Sequence, residues 1–307
     1  AAKNADFGLV ADWRGPCQGA EALPPGNDVA ARRFFEAGFV PFAVADYGAA
    51  EGLFTGYYEI ELNGSRRRHG PYQTPIYRKP PDLAGQPLPT RAEIEDGALG
   101  GRGLELLWVD DPIDAFFLEI QGSGRVQLDS GKTVRLGYDG KNGHPYVPVG
   151  KLLIERGEIP RDKLTMPAIR SWMARNSDGG RALRRENSSY VFFREISGDG
   201  PIGAEGAVLT AERSIAVDRT YIALGVPVWL EADERFADAE GVRRLLVAQD
   251  TGGAIKGPVR GDIFWGTGNA AGTRAGVMNA RGRYYLLLPR SVARRLVPAR
   301  MLVAGAN

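Results

Sequence analysis

Five short apolar segments follow one another in the last third of this chain: Ala216-Val217-Asp218, Pro227-Val228-Trp229-Leu230, and the stretches 244–249, 261–265 and 283–288. Each has the length of a strand crossing a small core, and turn-forming residues separate them. Strands at this spacing predict a small closed barrel, which leaves no sheet edge unpaired. The run Pro289-Arg290-Ser291-Val292-Ala293-Arg294-Arg295-Leu296 then reads as a closing helix.

The first two thirds are more mixed. Residues 1–26 are rich in Gly and Pro and read as irregular. A helix is predicted from Asp28, as N-cap, to about Ala37, with Gly38 as the stop. Leu53 to Ile60 reads as a strand, and Arg66-Arg67-Arg68 as a solvated turn. Lys79-Pro80-Pro81 and Pro87-Leu88-Pro89 mark a linker, after which Thr90 and Glu93 have the spacing of a capping box. Leu104 to Trp108 precedes a turn at Asp110-Asp111-Pro112. Ala115 to Ile120 reads as a buried strand ending in Gln121-Gly122-Ser123-Gly124. Val126-Gln127-Leu128 and Thr133 to Leu136 flank Asp129-Ser130-Gly131-Lys132 and predict a hairpin. Helices are expected around 149–156 and 167–176, and a strand from Ser189 to Ile196.

Composition narrows the chemistry. The 307 residues allow two domains with substantial cores, and 39 basic against 37 acidic residues leave a net charge of only +2, so no nucleic-acid footprint is indicated. Cys17 is the single cysteine, which excludes an intramolecular disulfide and a cysteine metal cluster. The two histidines, His69 and His144, lie far apart without a zinc or triad motif, and both read as structural or surface residues. Nothing calls for a metal or cofactor. No stretch approaches about 18 apolar residues. The opening Ala-Ala-Lys-Asn shows no signal peptide and leaves export open.

With so little histidine, the chemistry is expected in 247–266, where Asp250 and Asp262 sit in a glycine-rich frame between apolar strands. Three readings of these aspartates stand open. Asp250, in Asp-Thr-Gly-Gly, fits a turn residue that bonds nearby backbone N–H groups. Asp250-Thr251-Gly252 and Asp129-Ser130-Gly131 also look like the paired loops of an aspartic peptidase, although Lys132 and Gly253 do not continue that pattern. The third reading is glycoside cleavage. Apolar Ile263-Phe264-Trp265 beside Asp262 would raise its pKa and make it an acid, with Asp250 opposite on an adjacent strand. Candidates for holding sugar are Thr55-Gly56-Tyr57-Tyr58, Gln121-Gly122-Ser123-Gly124, and the Tyr138 to Tyr146 segment.

Five segments together resemble the membrane-bound lytic murein transglycosylase A family: Thr55-Gly56-Tyr57-Tyr58; Pro75-Ile76-Tyr77-Arg78; Phe117 to Gly124; Gly137-Tyr138 through Gly150-Lys151 around Lys141-Asn142-Gly143-His144; and 249–268. Asp218, Asp250 and Asp262 match the aspartates of the three-aspartate domain shared with other cell-wall-acting proteins. The resemblance implies a mainly β protein. A double-psi β-barrel from 1–59 plus 198–307 would carry the chemistry, with an inserted β-rich domain over 60–197 and a glycan groove between the two. It implies Asp262 and Asp250 as catalytic residues, and Thr55, Tyr57, Gln121, Gly122, Ser123, Tyr138, Asn142 and Tyr146 as substrate contacts. The implied partners are peptidoglycan glycan strands, with other cell-wall enzymes also allowed. The implied reaction is non-hydrolytic cleavage to a 1,6-anhydromuramoyl end in the periplasm, at the outer membrane. Members are anchored at an N-terminal cysteine, whereas Cys17 is internal and no lipobox is visible. The competing reading is a non-catalytic polysaccharide-binding module on a related barrel.

Overall fold

The computed structural model describes residues 7–81, 88–233 and 241–296. Two helices open it, α1 (Val10–Glu21) and α2 (Asp28–Gly38). The first falls where an irregular segment was expected, with Pro16 inside it. Local and distant contacts hold it: Asp12 accepts from the Leu9 N–H at 2.8 Å, and Trp13 donates to the Phe7 carbonyl at 2.8 Å and packs on Phe39. The cap of α2 is Asn27, whose side chain accepts from the Ala30 N–H at 3.0 Å, so Asp28 is the first helical residue instead.

Strand β1 (Phe39–Ala43) leads to the long β2 (Gly52–Ser65), and β3 (Thr74–Tyr77) follows. Residues 82–87 of the proline-rich linker lie outside the described residues. The capping box is formed at Thr90 and Glu93 and opens α3 (Arg91–Glu95). After β4 (Glu105–Val109), the segment read as a buried strand is a helix, α4 (Pro112–Gln121). Its terminal signals outweigh its apolar run. Asp111 accepts from the Ile113 N–H at 2.7 Å, Pro112 occupies the first turn, and Gly122 ends the helix at φ 77°. A short apolar run alone does not separate strand from buried helix.

The expected hairpin is β5 (Ser123–Leu128) with β6 (Thr133–Lys141). Helices α5 (Val149–Glu155), α6 (Met166–Arg175) and α7 (Ser177–Glu186) precede β7 (Val191–Ile196). The last third supplies β8 (Ser214–Val217), β9 (Pro227–Ala232), β10 (Val242–Asp250), β11 (Arg260–Thr267), α8 (Gly268–Val277), β12 (Asn279–Pro289) and α9 (Arg290–Leu296).

Pairing closes a six-stranded ring. Going round it, β2 pairs β12, β12 pairs β9, β9 pairs β10, β10 pairs β8, β8 pairs β11, and β11 returns to β2. The pairs β8–β10 and β2–β11 are parallel; the rest are antiparallel. The interior is filled by fully buried Phe54, Ile215, Val228, Leu230, Leu246 and Ile263, with Tyr284 edge-on to Phe54.

One strand serves two sheets. As far as Glu59, β2 pairs within the ring; from Ile60 onward it pairs β5 and then β4, in a second sheet with β3, β6 and β7. Glu59 is fully buried at this hand-over. It accepts from the Thr267 hydroxyl of the ring at 2.8 Å and lies 3.6 and 3.7 Å from Arg125 and Arg135 of the second sheet. Helix α4 packs its buried Phe116, Phe117 and Leu118 over this sheet.

Candidate active site

Asp262 stands mid-strand on β11, opposite Thr55 of β2 on one side and Ala216 of β8 on the other. Its Oδ1 accepts from the Thr55 hydroxyl at 2.7 Å, and no described residue bonds Oδ2. Burial pushes the Asp262 carboxyl from its ordinary 3.8 up to about 6, against the pull of Arg260 and the Thr55 hydrogen bond; Asp250 adds to the rise. Gly56, between Thr55 and Tyr57, is required by close approach. A Cβ there would stand 2.4 Å from Trp265 Nε1 and 2.8 Å from the Ala275 Cα of α8.

Asp250 ends β10. Its Oδ2 accepts from the Tyr57 hydroxyl at 2.8 Å, and Oδ1 accepts from the N–H groups of Ala204 at 3.0 Å and Thr251 at 2.9 Å. Burial raises this carboxyl above the usual range, and these three donors limit the rise. Tyr57 is buried against Phe264 at 5.3 Å, and burial beside Asp250 keeps its phenol protonated.

The two aspartates are not on adjacent strands, contrary to the expectation from spacing. Both align with Ala216, so β8 runs between them. Their backbones are two strand spacings apart, roughly 9–10 Å. Sequence separation carries no information about a strand inserted from elsewhere in the chain. The third aspartate, Asp218, is a turn residue. It accepts from the N–H groups of Thr220 at 3.0 Å and Gly257 at 2.9 Å, and these outweigh burial to hold its pKa low. The Asp129–Asp250 dyad of the peptidase reading does not form, because Asp129 lies in the β5–β6 turn with His69 Nε2 2.9 Å from its carboxylate.

The remaining sequence candidates divide. Gln121 is buried, and its Oε1 accepts from the Tyr58 N–H at 3.0 Å, tying the end of α4 to the strand that carries Thr55 and Tyr57. Gly122 and the buried Ser123 form the corner from α4 into β5. Tyr138 and Tyr146 are exposed, and no hydrogen bond joins either to the aspartates. Asn142 is buried, and its amide is fully engaged by backbone: it donates to the carbonyls of Pro89 and Ser188 and accepts from the Tyr190 N–H. A cleft of about 380 Å³ runs between α8 and the α4–α6 side, lined by Tyr58, Glu61, Asp114, Arg170, Asn269 and Thr273; neither aspartate lines it.

Sequence reasoning missed Arg260. Its Nη2 donates to the Thr55 hydroxyl oxygen at 2.7 Å, and its Nη1 donates to the carbonyls of Leu53, at 3.3 Å, and Gly261. The available signal was position: Arg260 is two residues before Asp262 on one strand, hence on the same face.

Residues 53–194 match the MltA specific insert domain family, and residues 213–288 match the 3D domain family. Membrane-bound lytic murein transglycosylase A of Escherichia coli K12 is 39% identical over 250 residues, which cover 79% of this chain and 66% of that protein. The chain therefore spans just under two thirds of that relative's length. The crystal structure of membrane-bound lytic murein transglycosylase from Agrobacterium tumefaciens is similar at 35% identity and a TM-score of 0.86, covering 94% of this chain and 86% of that one. E. coli MltA with bound chitohexaose is similar at 34% identity and a TM-score of 0.80, covering 91% and 84%. Two family matches in order along the chain, together with this identity across most of it, show that the protein belongs to the membrane-bound lytic murein transglycosylase A family.

Proposed function

We propose that this chain is a peptidoglycan lytic transglycosylase that cleaves the β-1,4 bond between N-acetylmuramic acid and N-acetylglucosamine with Asp262 as its single acid and base. The observation that carries this is the Asp262 carboxyl, held near 6 by burial, fixed through one oxygen and open at the other. Its protonated form gives a proton to the glycosidic oxygen as the C1–O bond breaks, leaving oxocarbenium character at C1. The muramoyl 6-hydroxyl then attacks C1 of its own sugar. The ionised Asp262 takes the hydroxyl proton, which restores the acid and yields a 1,6-anhydro ring. The nucleophile is part of the reacting sugar, so little orientational entropy is lost on attack. Asp250, tethered by Tyr57, raises the proton affinity of Asp262 by its charge. A purely binding module has no use for a carboxyl tuned this way.

The ring with its two parallel pairs supports the finer reading as a double-psi β-barrel of 1–59 plus 198–307. The hand-over of β2 after Glu59 supports an inserted unit over 60–197. The seam between them, with Gln121, Gly122 and Ser123 beside Tyr58, is the proposed path of the glycan strand, a reading favoured by the chitohexaose in the E. coli relative. The relatives' membrane-bound description supports a periplasmic place at the outer membrane.

Mass spectrometry of products from purified peptidoglycan tests the reaction. Anhydromuramoyl ends are expected; reducing ends would show hydrolysis and overturn the proposal.

A further inference from the structure

The Thr55 hydroxyl lies between a cation and a carboxylate. Arg260 Nη2 is 2.7 Å from Thr55 Oγ1, and Thr55 Oγ1 is 2.7 Å from Asp262 Oδ1. A guanidinium has donors and no acceptor, and a hydroxyl has a single proton. The hydroxyl oxygen has two lone pairs, and the Arg260 N–H occupies one of them. Of the two described partners of Thr55 Oγ1 only Asp262 Oδ1 can accept, so the hydroxyl proton is directed there. With the hydroxyl proton on Oδ1, that oxygen is the acceptor, and the carboxylic proton of a neutral Asp262 is favoured on Oδ2, which no described residue bonds. The guanidinium cannot swing away easily, because its other nitrogen is bonded to the Leu53 and Gly261 carbonyls on both strands that frame the site.

We infer that Arg260 is a positioning residue that sets, through the Thr55 hydroxyl, which oxygen of Asp262 carries the transferable proton. The inference rests on Asp262 being the acid proposed above. Without Arg260, the Thr55 hydroxyl is free to rotate and accept from a neutral Asp262, and the proton is then drawn to the inner oxygen, away from substrate. Arg260 also lowers the proton affinity of Asp262 by its charge. The other groups facing this carboxyl are Thr55 and Tyr57 from β2 and Asp250 from β10; β8 presents uncharged Ala216.

The test combines kinetics with a readout independent of turnover. The carboxyl of Asp262 is titrated by carbon-13 NMR in the full chain, assigned by its loss in Asp262→Asn, for wild type, Arg260→Gln, Thr55→Val and Thr55→Ser. Removing a cation or a hydrogen bond to the carboxylate disfavours the charged form, so the midpoint is expected to move up in Arg260→Gln and Thr55→Val. In Thr55→Ser it stays near wild type. On glycan strands, kcat is expected to fall about 10- to 100-fold in Arg260→Gln and in Thr55→Val, at most the low end of the roughly 10²- to 10⁴-fold that a general acid contributes, with KM within about threefold. The Arg260→Gln/Thr55→Val double variant should lose clearly less than the product of the two single losses, because the part of each that passes through the hydroxyl is shared. Multiplied losses in the double variant, or an Asp262 midpoint that does not move in Arg260→Gln, would overturn the inference. Should Arg260→Gln not fold, the Thr55→Val and Thr55→Ser pair decides it: equal kcat in the two removes the hydroxyl from the mechanism. Wild-type protein without anhydromuramoyl products would refute the transglycosylase reading instead, and the titration would still decide the relay.

Discussion

Two carboxylates with little solvent exposure, Glu119 beside the second sheet and Asp262 in the ring, look alike in burial and differ in their partners. Glu119 meets Arg91 through two bonds of 2.8 Å and accepts from the Val191 N–H at 2.7 Å. Arg91 in turn donates to the carbonyls of Asn187 and Ser189 and lies over the rings of Phe116 and Tyr190. Both oxygens of Glu119 and all three guanidinium nitrogens of Arg91 are bonded, and the pair joins α3, α4 and the start of β7. Asp262 has one accepted hydrogen bond on Oδ1 and an Oδ2 that no described residue bonds. Burial works against the charge of both groups, but only Asp262 has an oxygen left for another molecule. Burial alone marks neither role; the unused hydrogen-bonding capacity does.

The sharpest break of this comparison is at Glu119. Glu119→Ala takes the two-bond partner from the buried Arg91 guanidinium and leaves it only Glu95, at 3.9 Å, which costs about 3–5 kcal/mol. Urea unfolding at neutral pH should show that loss, while turnover per folded molecule stays within about threefold. A loss below about 1 kcal/mol would mean that the pair is not structural.

A smaller effect of opposite sign is expected at Asp262. Its folded pKa, about 6, lies above the ordinary 3.8, so its contribution is fully present below about pH 3.8 and is lost as pH rises through 6. Wild type should therefore lose stability relative to Asp262→Asn between about pH 4 and pH 7. The rise from 3.8 to about 6 corresponds to at most ~3 kcal/mol, and on the order of 1–2 kcal/mol is expected because one carboxyl oxygen is left open. Parallel melts at pH 4 and pH 8 measure it. Equal differences at the two pH values would deny the burial penalty.

Much of the ring was legible in advance. The strands at 216–218, 227–230, 244–249, 261–265 and 283–288 are all present, because short apolar runs between turns leave few alternatives in a small core. Helix α4 is hard to see in the sequence, since Ala115 to Ile120 is apolar enough for either element and the signals that decide it are Asp111, Pro112 and Gly122 at its ends. The site was legible in its residue types and hidden in its arrangement. Asp262, Thr55, Asp250 and Tyr57 form two hydrogen-bonded pairs, each joining positions about 200 apart in sequence. The strand β8 between the aspartates and the reach of Arg260 onto Thr55 depend on topology and register, which local sequence does not encode. Asn142 has the side chain of a sugar-binding amide, yet its surroundings use it to hold backbone.

The central claim, that Asp262 does chemistry rather than holds structure, is tested most directly by comparing wild type and Asp262→Asn on purified peptidoglycan, with glycan binding followed in the same samples. The expected result is a fall in cleavage of about 10²- to 10⁴-fold, the range for a lost general acid, with glycan binding unchanged and the fold at least as stable at neutral pH. Cleavage within about threefold of wild type would contradict the claim, as would loss of activity that merely follows loss of fold.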